Sequence, residues 1–145
     1  MHYILEPEVS GSFGSNTKID TKSYPPIVYH LHFIFSGWLG DELIECFPVY
    51  LVAEKLKNAI EKSKLIGFKI MSCEIEISHE TKKLQPNLML PSFFWLKILE
   101  NKKNDKSDFF IDESFKLCIT ANAFELLSKF NITNCDVSII KKLES

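Results

Sequence analysis

The 145-residue chain contains no arginine: all 17 of its basic residues are lysines, set against 19 acids for a net charge of −2. Arginine's planar fork grips phosphate or guanine with two bonds at once, whereas lysine offers only a point charge. A slightly acidic chain without that fork has no electrostatic pull toward nucleic acid, and no nucleic-acid partner is expected. No apolar run approaches the roughly 18 residues of a membrane helix, so no membrane partner is expected either. The first residues, MHYILEPEVS, carry Glu6 and Glu8 in place of the basic and apolar regions of a secretory signal, which points to a cytoplasmic protein. Cys46, Cys73, Cys118 and Cys135 form no CxxC pair, so spacing predicts no zinc site. Cys73, Cys118 and Cys135 sit in apolar stretches, where a reduced thiol behaves as a small hydrophobe.

What is present is an ordinary globular balance, 46% hydrophobic and 25% charged, over a length that suits one domain spanning residues 1–145. Charge is unevenly placed. Residues 1–54 hold seven acids and two lysines, and residues 55–145 hold twelve acids and fifteen lysines. If the fold gathers the early acids on one face, that face steers a basic partner.

Residues 2–5 read as a first strand and 10–26 as a long polar loop closed by Pro25-Pro26. The β-branched and aromatic run 27–35 (IVYHLHFIF) is the strongest strand pattern in the chain. Residues 47–52 read as a strand feeding a helix at 53–63, whose Leu56, Ala59 and Ile60 share one face. In the stretch 66–77, read as one strand, Cys73, Ile75 and Ile77 alternate with Glu74 and Glu76. Residues 79–92 read as a polar connection, 93–99 as a strand, and 100–108 as a charged loop. Short strands follow at 109–111 and 115–119, then a helix at 121–130 capped by Thr120 or Asn122, with Asn131 as a left-handed stop, and a strand at 136–141.

The segments 51–73 and 118–140 match at a constant offset of 67, each reading strand, helix, strand. Leu56 pairs with Ala123, Ala59 with Leu126, Ile60 with Leu127, and Gly67 with Asn134. Two unrelated amphipathic helices with similar exits would give the same pattern. With or without the repeat, the expected class is α+β: one domain, a mixed or antiparallel sheet and two main helices.

Catalytic signatures are sparse. Ser15 and Lys18 have the spacing of a serine nucleophile with its lysine base, but the SDN and KTG partner motifs are missing. His30 and His32 lie on one face of a strand, a zinc-compatible spacing that lacks a third ligand, with Tyr29, Leu31 and Phe33 on the face expected to be buried. No cofactor is expected. A small ligand-binding module or enzyme built on the 10–26 loop with His30 and His32 is the alternative function. Trp38, in a glycine-flanked turn followed by Asp41, Glu42 and Glu45, combines an aromatic anchor with negative charge and is the candidate partner-binding segment. Trp38 plugging the core, and the three acids opening a solvated helical turn, is the competing reading.

The stretches PPIVYHLHFIFSGWLGDELIECFP, LVAEKL with LIGFKI, LPSFFWLKI, DFF and ELLSKFNI together resemble small bacterial immunity proteins of polymorphic-toxin and contact-dependent competition systems. The resemblance implies a non-enzymatic α+β protein that binds a cognate toxin domain in the producing cell and blocks it. It carries no catalytic residue across. A homodimer joined through an edge strand is a further partner arrangement consistent with the sequence.

Overall fold

The computed structural model describes residues 1–100 and 106–140. In chain order it contains β1 (His2–Glu6), β2 (Gly11–Phe13), β3 (Lys18–Asp20), β4 (Ile27–His30), β5 (His32–Phe35), β6 (Leu43–Cys46), β7 (Val49–Ala53) and helix α1 (Glu54–Lys62). Then come β8 (Phe68–Met71), β9 (Glu74–Ile77), α2 (His79–Leu84), β10 (Phe93–Ile98), β11 (Phe109–Ile111), β12 (Leu117–Thr120), α3 (Ala121–Leu127) and β13 (Asp136–Ile140). The class is α+β, as expected.

Two four-stranded antiparallel sheets carry the architecture, ordered β6-β7-β10-β8 and β11-β12-β1-β13. They are copies of one plan. In each, a two-stranded hairpin leads through a helix into a third strand, and the hairpin's second strand and that third strand flank an antiparallel central strand. The register agrees residue for residue. Trp95 faces Leu51 and Met71, while Ile4 faces Cys118 and Ser138, the same positions displaced by 67 in the flanking strands. Backbone bonds repeat too: Ala53 donates to the Glu42 carbonyl at 2.9 Å and Thr120 to the Asp108 carbonyl at 3.0 Å. The repeat read from sequence is therefore a repeat of structure. The central strands come from different directions. β10 follows its own module in the chain, whereas β1 reaches the second module from the opposite end.

The main core expresses this duplication. Its buried residues fall into six equivalent pairs: Leu43/Phe109, Tyr50/Leu117, Val52/Ile119, Leu56/Ala123, Ile60/Leu127 and Leu96/Leu5. Leu56 and Ile60 lie one turn apart on α1, as do Ala123 and Leu127 on α3, so each helix offers its apolar stripe to the same cluster. α3 begins at Thr120, whose hydroxyl accepts from Ala123 N–H at 3.3 Å, and α1 ends where the Ser63 hydroxyl and amide both donate to the Ile60 carbonyl. At Gly67, with φ of +105°, a Cβ would stand 2.5 Å from the Phe109 carbonyl, so a side chain here would push β11 away.

A second core covers the other face of the first module. Phe33 and Phe35 from β5 pack on Val49, Leu51, Phe93 and Trp95. Covered on both faces, β7 is buried along its whole length and shows no alternation; β13, at an edge, is exposed throughout. The covering layer is a three-stranded sheet, β2-β5-β9, in which β5 and β9 run parallel, so the fold is mixed.

Several local expectations are corrected. The 10–26 segment forms two short strands, because its backbone finds partners in β5 and β4. The 27–35 run breaks at Leu31 into strands of separate sheets, and 66–77 breaks at Ser72-Cys73 because β8 pairs with β10 while β9 pairs with β5. A third helix, α2, opens the 79–92 connection, with the Ser78 hydroxyl accepting from Thr81 N–H at 3.2 Å. Asn131 and Asn134 hold ordinary backbone conformations; among the described residues, Phe115 is the one non-glycine at positive φ. Most of the 100–108 loop and the last residue of the strand read at 136–141 lie outside the described residues.

Candidate partner-binding face

The segment 38–45 is a ridge clamped between the two modules. Glu8, 4% exposed, receives Leu39 N–H at 2.8 Å and Asp41 N–H at 3.2 Å on its two carboxylate oxygens. Asp41, fully buried, accepts from Asn134 N–H at 2.8 Å and Asn134 Nδ2 at 2.9 Å, with the Thr133 hydroxyl at 3.4 Å. Glu42 accepts from Asn131 N–H at 2.8 Å, and Asn131 Nδ2 donates to the Gly40 carbonyl at 2.9 Å. The exit loop of α3 is thus sewn to the entry of β6 by carboxylate-to-amide bonds, the strong charge-assisted kind.

This geometry corrects the expected exposed patch. Asp41 is sequestered because it is the acceptor for the 131–134 loop, and it is unavailable for steering. Leu43–Cys46 is strand, so the helical turn proposed for Asp41, Glu42 and Glu45 does not form. The Trp38 ring meets Phe93 and Phe35 edge to face, at 5.8 and 6.4 Å between centroids, and Nε1 donates to the Asp41 carbonyl at 2.9 Å. It packs against the second core, as the competing reading expected.

A cleft opens on each side of the ridge. The first, about 550 Å³, is walled by Trp38, Glu42, Glu54, Asn58 and Pro91. The second, about 600 Å³, gathers Glu6, Glu8, Glu45 and Asp136, with strongly exposed Val9 and Leu39 at its lip. Burial pushes the Glu45 carboxyl above the usual carboxylate range; the charge of Glu6 adds to that rise and Lys116 opposes it. Lys116 Nζ reaches Glu6 at 3.2 Å, the one ion pair among the described residues that touches this cleft. A cationic side chain entering beside Glu45 would relieve the crowding of negative charge, and Val9 and Leu39 would pack on its aliphatic stem. Glu42 and Glu45, expected to act together, therefore face different clefts. Glu6 and Glu8 belonged to the acid excess of the first 54 residues; Asp136 arrives from the far end of the chain and left no local signal.

A third cleft, about 480 Å³, is lined by Ser15, Asn16, Thr17, Lys18, His30 and Glu74. His30 Nε2 meets Glu74 Oε2 at 2.7 Å and His32 Nε2 meets Glu76 Oε1 at 3.0 Å, so the histidines share a side, as their spacing implied. Their surroundings differ from expectation. Tyr29 is 63% exposed, and His32, expected to be half-exposed, is buried under the 14–17 turn. The His30 bond holds the Glu74 carboxyl below its ordinary range. Among the described residues, no three His, Cys, Asp or Glu side chains gather in a way that could hold a metal ion, and no helix is long and apolar enough to cross a membrane.

No family model, curated protein or solved structure matches this chain.

Proposed function

We propose that this chain is an immunity protein that binds a cognate toxin domain in the cytoplasm of the producing cell and neutralises it by protein–protein contact, without catalysis. The sequence resemblance motivates the reading. The observation that carries it on the protein's surface is the cleft holding Glu6, Glu8, Glu45 and Asp136, four acids with Lys116, paired to Glu6, as the one ion-paired cation among the described residues, and exposed Val9 and Leu39. Such a site suits a lysine or arginine side chain presented by a basic protein, and opposed charge raises the rate of encounter.

The test is a binding measurement between the purified chain and the toxin domain encoded beside it. Complex formation at micromolar concentration or below, weakened by Glu45→Lys and rescued from toxicity in cells co-expressing the intact chain, is the expected result. No complex, together with no protection in cells, would sink the proposal.

A second reading has its own observation. Ser15 and Lys18 line one cleft with the His30–Glu74 pair, which is the assembly a small ligand-binding module or enzyme would need. Titration of small carboxylate and phosphate compounds, followed by the His30 ring resonances, separates this reading from the first.

A further inference from the structure

We propose that the Gly14–Thr17 turn is a pH-responsive wall of the Ser15/Lys18/His30/Glu74 cleft, its Asn16 corner held in place by neutral His32 and loosened when His32 is protonated.

The turn is fastened largely to one residue. Gly14 N–H donates to the His32 carbonyl at 2.7 Å, and the Thr17 hydroxyl donates to the same oxygen at 2.8 Å. His32 N–H and the Thr17 hydroxyl oxygen lie 3.0 Å apart. Finally, Asn16 N–H donates to the imidazole Nδ1 at 3.2 Å. The ring lies against Gly14 so closely that a Cβ there would be 2.1 Å from Nδ1, which is why this position is glycine.

The Asn16 bond decides the tautomer. Nδ1 must offer a lone pair to receive an amide proton, so the ring proton sits on Nε2, where it donates to Glu76. Adding a proton converts Nδ1 into a donor that confronts the Asn16 N–H. The His32 side chain is 8% exposed, leaving little room for water to mediate between two facing donors. The other bonds from the turn to His32 go to its main-chain N–H and carbonyl, so a ring that backs away from Asn16 frees that residue while Gly14 and Thr17 stay tethered.

The charged and titratable groups around His32 are Glu76 and Glu74 on β9, His30 on β4 and Lys18 on β3. Glu74 is already engaged by His30 at 2.7 Å, and it also holds Asn16 through Nδ2 at 3.4 Å, a weak second tether on the same turn. Since Ser15, Asn16 and Thr17 supply three of the six residues lining the cleft, loosening at Asn16 changes its shape.

The experiment follows the full chain, labelled with ¹⁵N, from pH 8 to pH 5. At pH 8 the His32 resonances should show an unprotonated Nδ1 and a protonated Nε2. On acidification, the hydrogen-exchange protection of the Asn16 amide should fall at least tenfold, with the same midpoint as the His32 ring. His30→Gln should leave that transition in place. His32 protonated on Nδ1 at pH 8 would overturn the proposal. So would an Asn16 amide that stays protected after His32 is charged, or a transition that disappears in His30→Gln. The wild-type titration decides the matter even if a variant fails to fold.

Discussion

Tyr3 stacks on Phe124 with ring centroids 4.0 Å apart and planes 12° from parallel, joining the N-terminal strand to the last helix. The equivalent pair in the other module is Phe94 and Lys57, where the Lys57 ammonium lies 4.7 Å from the ring centroid. One geometric slot, between a central strand and its helix, is filled by an aromatic stack in one copy and a cation–π contact in the other. The two copies keep their backbone register while exchanging the chemistry of the contact.

Equivalent core positions should fail alike. Ile60→Ala and Leu127→Ala remove fully buried side chains from matching places on α1 and α3, and each should cost about 2–5 kcal/mol in urea denaturation. Lys129→Ala, at an exposed position, should stay within about 0.5 kcal/mol of the parent. A large asymmetry between the first two would show that the modules do not share the core equally.

The ridge should behave as structure first. Asp41→Ala removes the buried carboxylate that holds both amides of Asn134 and should cost about 1.5–3 kcal/mol. Trp38→Ala empties a site against Phe35 and Phe93 and should cost a similar amount, about 2–4 kcal/mol. Melting curves unchanged in both variants would contradict the clamped ridge.

Glu45 should trade stability for binding. Because its folded pKa is raised, its contribution to stability is complete below the ordinary carboxylate range and is lost as pH rises through the raised value. Above the raised value the ionised group therefore strains the fold. Glu45→Gln should raise Tm at pH 7 yet slow association with a basic partner, and added salt should shrink the difference in association rate.

The thiols should be slow to react and should set an alkaline limit. Burial pushes Cys46 and Cys73 up to about 11, and Cys118 and Cys135 up to about 12. Four free thiols are expected after denaturation, with little reaction in the native state at pH 8. Raised pKa values favour the fold while the unfolded thiols remain protonated, so stability should decline as pH climbs above about 9. Substituting Cys118 by Ala should flatten part of that decline.

At the acid end, Glu74 acts in the opposite sense. Its pKa is lowered chiefly by the bond from His30, so its contribution is present above the ordinary carboxylate range and lost as pH falls through the depressed folded value. Glu74→Gln should leave the urea midpoint less sensitive to acid than in the parent, with a small effect in keeping with the pair's half-exposure.

Periodicity carried the reading wherever one residue's neighbours were its own near sequence. Helices α1 and α3 were legible from Leu56, Ala59, Ile60 and their counterparts, since an apolar stripe needs only 3.6-residue spacing. The α+β class and the strand–helix–strand repeat followed from the same local patterns. The sharing of sheets did not. Ser72-Cys73 divides β8 from β9 only because two different strands, far away in the chain, take the two halves. The same limit applied at the ridge. Asp41, Glu42 and Glu45 look alike in sequence, yet Asp41 is buried and bonded to the amides of Asn134, and Glu45 meets Glu6 and Asp136 across a cleft. Local sequence determined helices α1 and α3, the duplication and the acid excess of the first third. Only the tertiary fold decided which acids are spent on holding backbone amides and which line an open cleft, because hydrogen bonding and burial join residues as far apart in the chain as His2 and Ile140.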